Sequence, residues 1–111
     1  MARIPVYDAA RSFDATSLSG SYQDVGAVMG SAVLGFAIYN TSDVDAQLSF
    51  DDGTTDGPIV PSGGTLSDNR YVQYSQQGEA IFVLPEGAQI QVKQVTGAGA
   101  SGDIIINVVR I

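Results

Sequence analysis

Turn-forming residues interrupt this chain about every 8–12 residues, the spacing of a sandwich or barrel built from short strands. Gly20-Ser21, Asn40-Thr41-Ser42-Asp43, Asp51-Asp52-Gly53, Pro61-Ser62-Gly63-Gly64, Gln77-Gly78, Pro85-Glu86-Gly87 and Gly97-Ala98-Gly99 all punctuate it. Asn, Asp, Gly and Pro each favour turns for a definite backbone reason. No long segment between them carries a helical stripe, and residues 9–18 have apolar groups for a helical turn or two at most.

The intervening runs read as strands. Residues 3–7 form a first one, with Pro5 confining it to an edge. Residues 22–28 and 33–40 follow, and in the second Leu34, Phe36 and Ile38 share a face by period two. Residues 46–50 alternate Ala46, Leu48 and Phe50 against Gln47 and Ser49, and Asp51-Asp52-Gly53 then makes a hairpin-type turn. Ile59-Val60, residues 71–74 and residues 80–84 are further short candidates. Residues 89–95 set Ile90 and Val92 against Gln89, Gln91 and Lys93, and residues 103–111 close the chain. The expected fold is all-β: one domain over residues 1–111, an antiparallel two-sheet β-sandwich of about eight strands. A jelly roll is the leading topology and another Greek-key sandwich the next.

Composition narrows the function. The chain has 111 residues, of which 44% are hydrophobic, so it is globular rather than disordered. Only 15% are charged, against about 25% in an average soluble domain. The formal net charge is −7, and the five basic residues, Arg3, Arg11, Arg70, Lys93 and Arg110, form no stripe. Nucleic acid and anionic membrane are therefore poor partners. Cysteine and histidine are both absent. Thiolate nucleophiles, disulfides, the commonest general base and the commonest transition-metal ligands are absent with them. No signal-peptide pattern opens the sequence, and the weakly polar stretch 27–39 is too short and too interrupted by glycine to span a bilayer. A soluble protein made in the cytoplasm is expected.

Candidate sites are few. Asp43, Asp45, Asp51, Asp52 and Asp56 cluster in sequence, and Asp51-Asp52-Gly53-Thr54-Thr55-Asp56-Gly57 invites a calcium reading because hard cations want several oxygens on a tight loop. The EF-hand spacing fails: with Gly57 as the loop glycine, Gly63 stands where the final Glu belongs. A turn that uses Asp and Gly for their backbone preferences is the plainer account. Glu79 and Glu86 lie beside turns, and Lys93, the single lysine, sits on the polar face of an alternating strand, which favours solvent. No Ser/His or Cys/His pair, nucleophile elbow or phosphate loop occurs. An enzyme is the weakest class, and no catalytic residue, cofactor or metal is expected. Tyr7, Tyr22, Tyr39, Tyr71 and Tyr74 could stack on sugar rings, or serve as edge, core or interface residues.

Two features point to association. The last strand, Ile104-Ile105-Ile106-Asn107-Val108-Val109-Arg110-Ile111, is largely apolar on both faces. Its second face, with Ile105, Val109 and Ile111, needs a cover: a sister subunit, or a loop of the same chain. Residues 1–20 have little pattern of their own and form either a first strand plus loop or an arm lying on a neighbour, in which case Arg3, Ile4 and Val6 join the interface.

Asn40-Thr41-Ser42-Asp43, then Leu48-Ser49-Phe50-Asp51-Asp52-Gly53, Asp56, Val60-Pro61-Ser62-Gly63 and Asp68, in that order, resemble small β-sandwich virion proteins of tailed bacteriophages. The resemblance runs over residues 40–68, about a quarter of the chain, and consists mostly of turn chemistry. The group includes capsid decoration (cement) proteins and small neck or tail components. The resemblance implies a place in the virion, contact with the major capsid protein or other virion proteins, and a homo-oligomer, with trimers at threefold positions the natural form. It implies no catalytic residue. A neck, tail or baseplate component and a carbohydrate-binding module are the rival expectations.

Overall fold

The structure, a computed structural model, describes residues 6–69 and 83–111. Among these residues the chain forms β1 (Val6–Tyr7), β2 (Arg11–Asp14), β3 (Gln23–Asp24), β4 (Val33–Asn40), β5 (Ala46–Ser49), β6 (Ile59–Val60), β7 (Thr65–Asn69), β8 (Gln91–Gln94) and β9 (Asp103–Arg110). The larger sheet runs β1-β9-β4-β7 with β2 also on β9, and the smaller runs β3-β8-β5-β6. All pairings are antiparallel.

β1 and β2 lie along the same edge of β9, Tyr7 opposite Val109 and Ser12 opposite Ile105, so they act as one interrupted strand. With that pair counted once, the strand order is 1-8-3-6 in one sheet and 2-7-4-5 in the other. Among the described strands the chain crosses between sheets at every step but one, the hairpin β5–β6. This is the doubly wound Greek-key connectivity of a jelly roll.

The core lies between the sheets and follows the period-two pattern. Ile104, Ile106 and Val108 of β9 and Phe36 and Ile38 of β4 meet Ala46, Leu48, Val60, Ile90 and Val92 from the smaller sheet. Each buried Val, Leu or Ile contributes about 1.5–3 kcal/mol of transfer free energy. Leu34 departs from the pattern expected of it. Val33 stands opposite Arg110 and Gly35 opposite Val109, so the register shifts there by a residue. That bulge places Val33 with Phe36 and Ile38 in the core cluster, while Leu34, also fully buried, lies outside it.

Other departures have equally local causes. Residues 22–28 pair as a strand only at Gln23–Asp24, because Gly26 takes φ +74° and turns the backbone off the ladder. The segment stays attached: Val25 N–H donates to Ile90 O (2.9 Å) and Met29 N–H to Ala88 O (2.8 Å). Residues 11–14 are a strand instead of helix, and the one helical turn nearby is the 3-10 turn Ala15–Ser17, capped by Asp14. β7 was not expected from its polar sequence, Thr-Leu-Ser-Asp-Asn; among the described strands it pairs with β4 alone. The strand expected at residues 71–74, and most of that at 80–84, lie outside the described residues.

The corner that carries the chain from β4 in one sheet to β5 in the other is built on Asn40. This side chain is 1% exposed. Its amide donates to the carbonyls of Val44 (2.8 Å) and Val60 (3.0 Å), and its oxygen accepts from the N–H (3.0 Å) and hydroxyl of Ser42. The hydrogen-bonding capacity of one buried amide is thus spent joining both ends of the corner.

Candidate functional site

The two outer faces of the sandwich differ in kind. Outward positions of the smaller sheet are polar and tied to the loop after β5. The Asp51 carboxylate accepts from Ser49 Oγ (2.9 Å) and Thr55 N–H (2.9 Å), while Asp52 and Gly53, both at positive φ, turn the chain back. Asp56 accepts from the Tyr22 hydroxyl (2.5 Å) and pairs with Lys93 Nζ (3.3 Å), which lies 4.7 Å over the Tyr22 ring. Gln47 Nε2 donates to Gly57 O. The loop is thereby pinned over its own sheet.

These contacts answer two expectations. Lys93 does not stand in solvent; its side chain is 27% exposed, packed between Tyr22 and Asp56. The acidic loop is a structured turn in which Asp51 and Asp56 engage separate partners. Asp45 accepts from Ser62 N–H and Asp43 from Ala100 N–H, and among the described residues no three acidic groups converge to hold a metal ion. The electrostatics follow the geometry. Hydrogen bonds from Thr55 and Ser49 hold Asp51 below the usual carboxylate range, and those from Tyr22 and Lys93 do the same for Asp56. Burial, then the bond to Asp56, pushes the Tyr22 phenol up to about 12.

Beside this loop lies an open groove of about 660 Å³ lined by Asp24, Phe50, Asp51, Asp52, Glu86 and Gln89, among others. Asp24 already accepts from Gln91 Nε2 (2.7 Å), and Asp51 is engaged as above.

The outer face of the larger sheet is different. Register places Tyr7, Val109 and Gly35 in one row across the strands, Asn107, Ala37 and Ser67 in the next, and Ser12, Ile105, Tyr39 and Thr65 in a third. None of these residues is charged. Tyr7 is 77% exposed and Tyr39 39%. The small residues Gly35, Ala37 and Ser67 leave a groove of about 420 Å³ bordered by Tyr7, Asn107 and Val109, and by Asp8, whose carboxylate is paired with Arg11 and Arg110. The nearest outward carboxylates on the strands, Asp14 and Asp103, stand opposite each other at one end.

Of the residues expected at an interface, Ile105 and Val109 are half-buried on this face, and Val6 is 41% exposed at its β1 edge, opposite Arg110. Ile111 is half-buried and tied down: its N–H donates to Ala32 O (3.1 Å) and its carbonyl accepts from Ser31 Oγ (2.6 Å). Arg3 and Ile4 lie outside the described residues. Residues 6–7 and 11–14 are paired to β9 of their own chain. Sequence reading missed Tyr7, Gly35, Ala37, Tyr39, Ser67 and Asn107 as one surface. Those on β4 were accessible as the positions alternating with Phe36 and Ile38. The partner strand β7 was not recognised, so nothing placed Ser67 beside them. Compared with family models, curated proteins and solved structures, the chain matches none.

Proposed function

We propose that this chain is a structural protein of a tailed-phage virion, and within that class a capsid decoration (cement) protein. In this reading it is made in the host cytoplasm and ends on the shell, seated against the major capsid protein. It works mechanically: modest contacts repeated by symmetry add up to resistance against internal pressure. It assigns no catalytic residue and no cofactor.

The observation that carries the reading is the uncharged outer face of the larger sheet. On a chain with net charge −7, three rows of tyrosine, aliphatic and small polar residues without a charge have the composition of an interface centre. The turn order of residues 40–68 supports it, as does the jelly roll, an architecture used in viral capsids. Fold by itself does not imply function, so the weight rests on the face.

The test is copy number in purified virions, by quantitative densitometry against the major capsid protein. A ratio comparable to the capsid protein is expected. A small fraction of it points to a neck, tail or baseplate component, and complete absence overturns the virion reading. One observation favours a second reading, a carbohydrate-binding module: Tyr7 stands beside a groove that also offers the Asn107 amide and Ser67 hydroxyl. Glycan binding lost in Tyr7→Ala, with assembly intact, would decide for it.

A further inference from the structure

We infer that the outer face of the larger sheet seats a second copy of this chain, in a two-fold pair whose axis crosses the strands at the level of Ala37. The inference rests on reading that face as the assembly surface and names its partner.

A two-fold interface sets one surface against itself, so each residue must suit the position that the symmetry brings over it. Here the register supplies such a match. An axis across the strands through the row of Asn107, Ala37 and Ser67 turns the row of Ile105 and Tyr39 onto the row of Val109 and Gly35. Each Tyr39 then lies over the groove of about 420 Å³ whose floor the other copy's Gly35, itself buried, helps to form. Each Ile105 lies over a Val109, aliphatic on aliphatic. Large meets small on β4, and apolar meets apolar on β9. Asn107, Ala37 and Ser67, uncharged and none larger than an amide, meet their own counterparts.

Charge selects the same partner. Two copies of a chain at −7 repel, so a self-association surface has to be the region where unpaired carboxylates are missing; Asp8, which lines the groove, is paired with Arg11 (3.4 Å) and Arg110 (2.6 Å). A cationic partner would instead be matched by an acidic face. The Asp14 and Asp103 pair stands at the far end of the face, two residues beyond Ile105. The same axis turns that row toward the Ile111 end of the other copy, so acid does not meet acid. Two sheets packed this way stand about 10 Å apart, the ordinary distance for facing β-layers. The pairing replaces the threefold expected from the virion resemblance.

The test is sedimentation equilibrium of the full chain, with Ala37→Lys and Ala37→Glu. Both substitutions project outward from a sheet position, and circular dichroism with thermal unfolding checks that each variant keeps the fold. The wild type is expected to dimerise. Each variant alone puts like charges at the axis and should weaken dimerisation about a hundredfold or more. An equimolar mixture of the two should restore a one-to-one heterodimer, which only an axis close to residue 37 allows. Should a charged variant not fold, Tyr39→Ser must weaken the dimer for the inference to stand. A monomeric wild type, or a dimer indifferent to these changes, overturns it. If such a monomer is still abundant in virions, the assembly reading survives and the face belongs to the shell protein. If the dimer forms and virions lack the chain, the pairing stands and the virion reading fails.

Discussion

Replacing Gly102 with alanine should cost about 2–5 kcal/mol, a large part of the roughly 5–15 kcal/mol that holds a domain folded. Gly102 leads into β9, and two separate conditions meet there. Its φ is +93°, a conformation that costs an L-residue roughly 1–2 kcal/mol. An added Cβ would lie 2.5 Å from Ser42 Cα, 2.6 Å from Thr41 O and 2.8 Å from Ser42 N. All three are backbone atoms of the β4–β5 corner, so no side chain can swing aside. Overpacking of this kind costs typically 1–3 kcal/mol. The corner also has little freedom to retreat: Thr41 N–H donates to Asp103 O (2.9 Å), and Asp103 N–H donates to Thr41 Oγ1 (3.0 Å). For a chain of this length about 1 kcal/mol moves the melting temperature by about 4 °C, so the drop should be about 8–20 °C. Gly63→Ala is the control. Its φ is +72°, but no atom lies within 4 Å of the added Cβ, so only the conformational part remains, about 4–8 °C. Thermal unfolding followed by circular dichroism measures both. If the two variants melt together, the close approach of the Gly102 backbone to Thr41 and Ser42 is wrong, and with it the packing of that corner.

Three further outcomes follow from polar groups. Asn40→Ala leaves the Val44 and Val60 carbonyls and the Ser42 donors without their partner, and should cost about 2–4 kcal/mol in urea unfolding; a loss under 1 kcal/mol would contradict the corner. On acidification, Asp14, Asp51 and Asp56, all held below the usual carboxylate range in the folded state, contribute stability that is complete above the unfolded value of about 3.9 and fades as pH falls through their folded values. The urea midpoint should therefore be flat near neutrality and fall below about pH 4, less steeply in Asp51→Asn. Tyr22, raised to about 12, titrates in the opposite sense: its contribution is complete below the unfolded value near 10 and is lost as pH rises toward 12. Ultraviolet titration of tyrosinate should show a late component that Tyr22→Phe removes, and a wild-type curve with every tyrosine ionised near pH 10 would refute the Tyr22–Asp56 contact.

The sequence was most readable where alternation and turns agree. Residues 33–40 and 59–60 form strands over those limits, and residues 103–111 and 46–50 do so to within a residue. Ile90 and Val92 point inward as their period required. Reading failed where a single backbone event outranks side-chain pattern. Gly26 breaks the run 22–28, and the bulge at Val33–Gly35 changes which residues enter the core. It failed again at the polar strand Thr65–Asn69. For the site, Ile105 and Val109 were legible because an apolar second face is visible in one strand. The rest of the face depends on which strand neighbours which, and antiparallel crossovers between sheets leave no trace in local sequence.

The contrast between the two outer faces bears most directly on assembly. Both sheets have an outer surface of strands, and among the described residues a loop lies over only one of them. The loop of residues 50–58 lies over the smaller sheet, held by Tyr22, Lys93, Gln47 and Ser49, and its carboxylates give that side a solvated acidic exterior. Among the described residues the larger sheet has no such device on its middle rows. Its Arg110 and Arg11 contacts to Asp8 lie at the β1 end, where they fasten the edge. A charged residue outward on β9 or β4 would have solvated the middle rows without disturbing the core, since those positions do not face it. Instead they carry Ile105, Asn107 and Val109 beside Ala37 and Tyr39. Uncharged residues at positions that the fold leaves free to be charged are the feature on which the proposed assembly face rests.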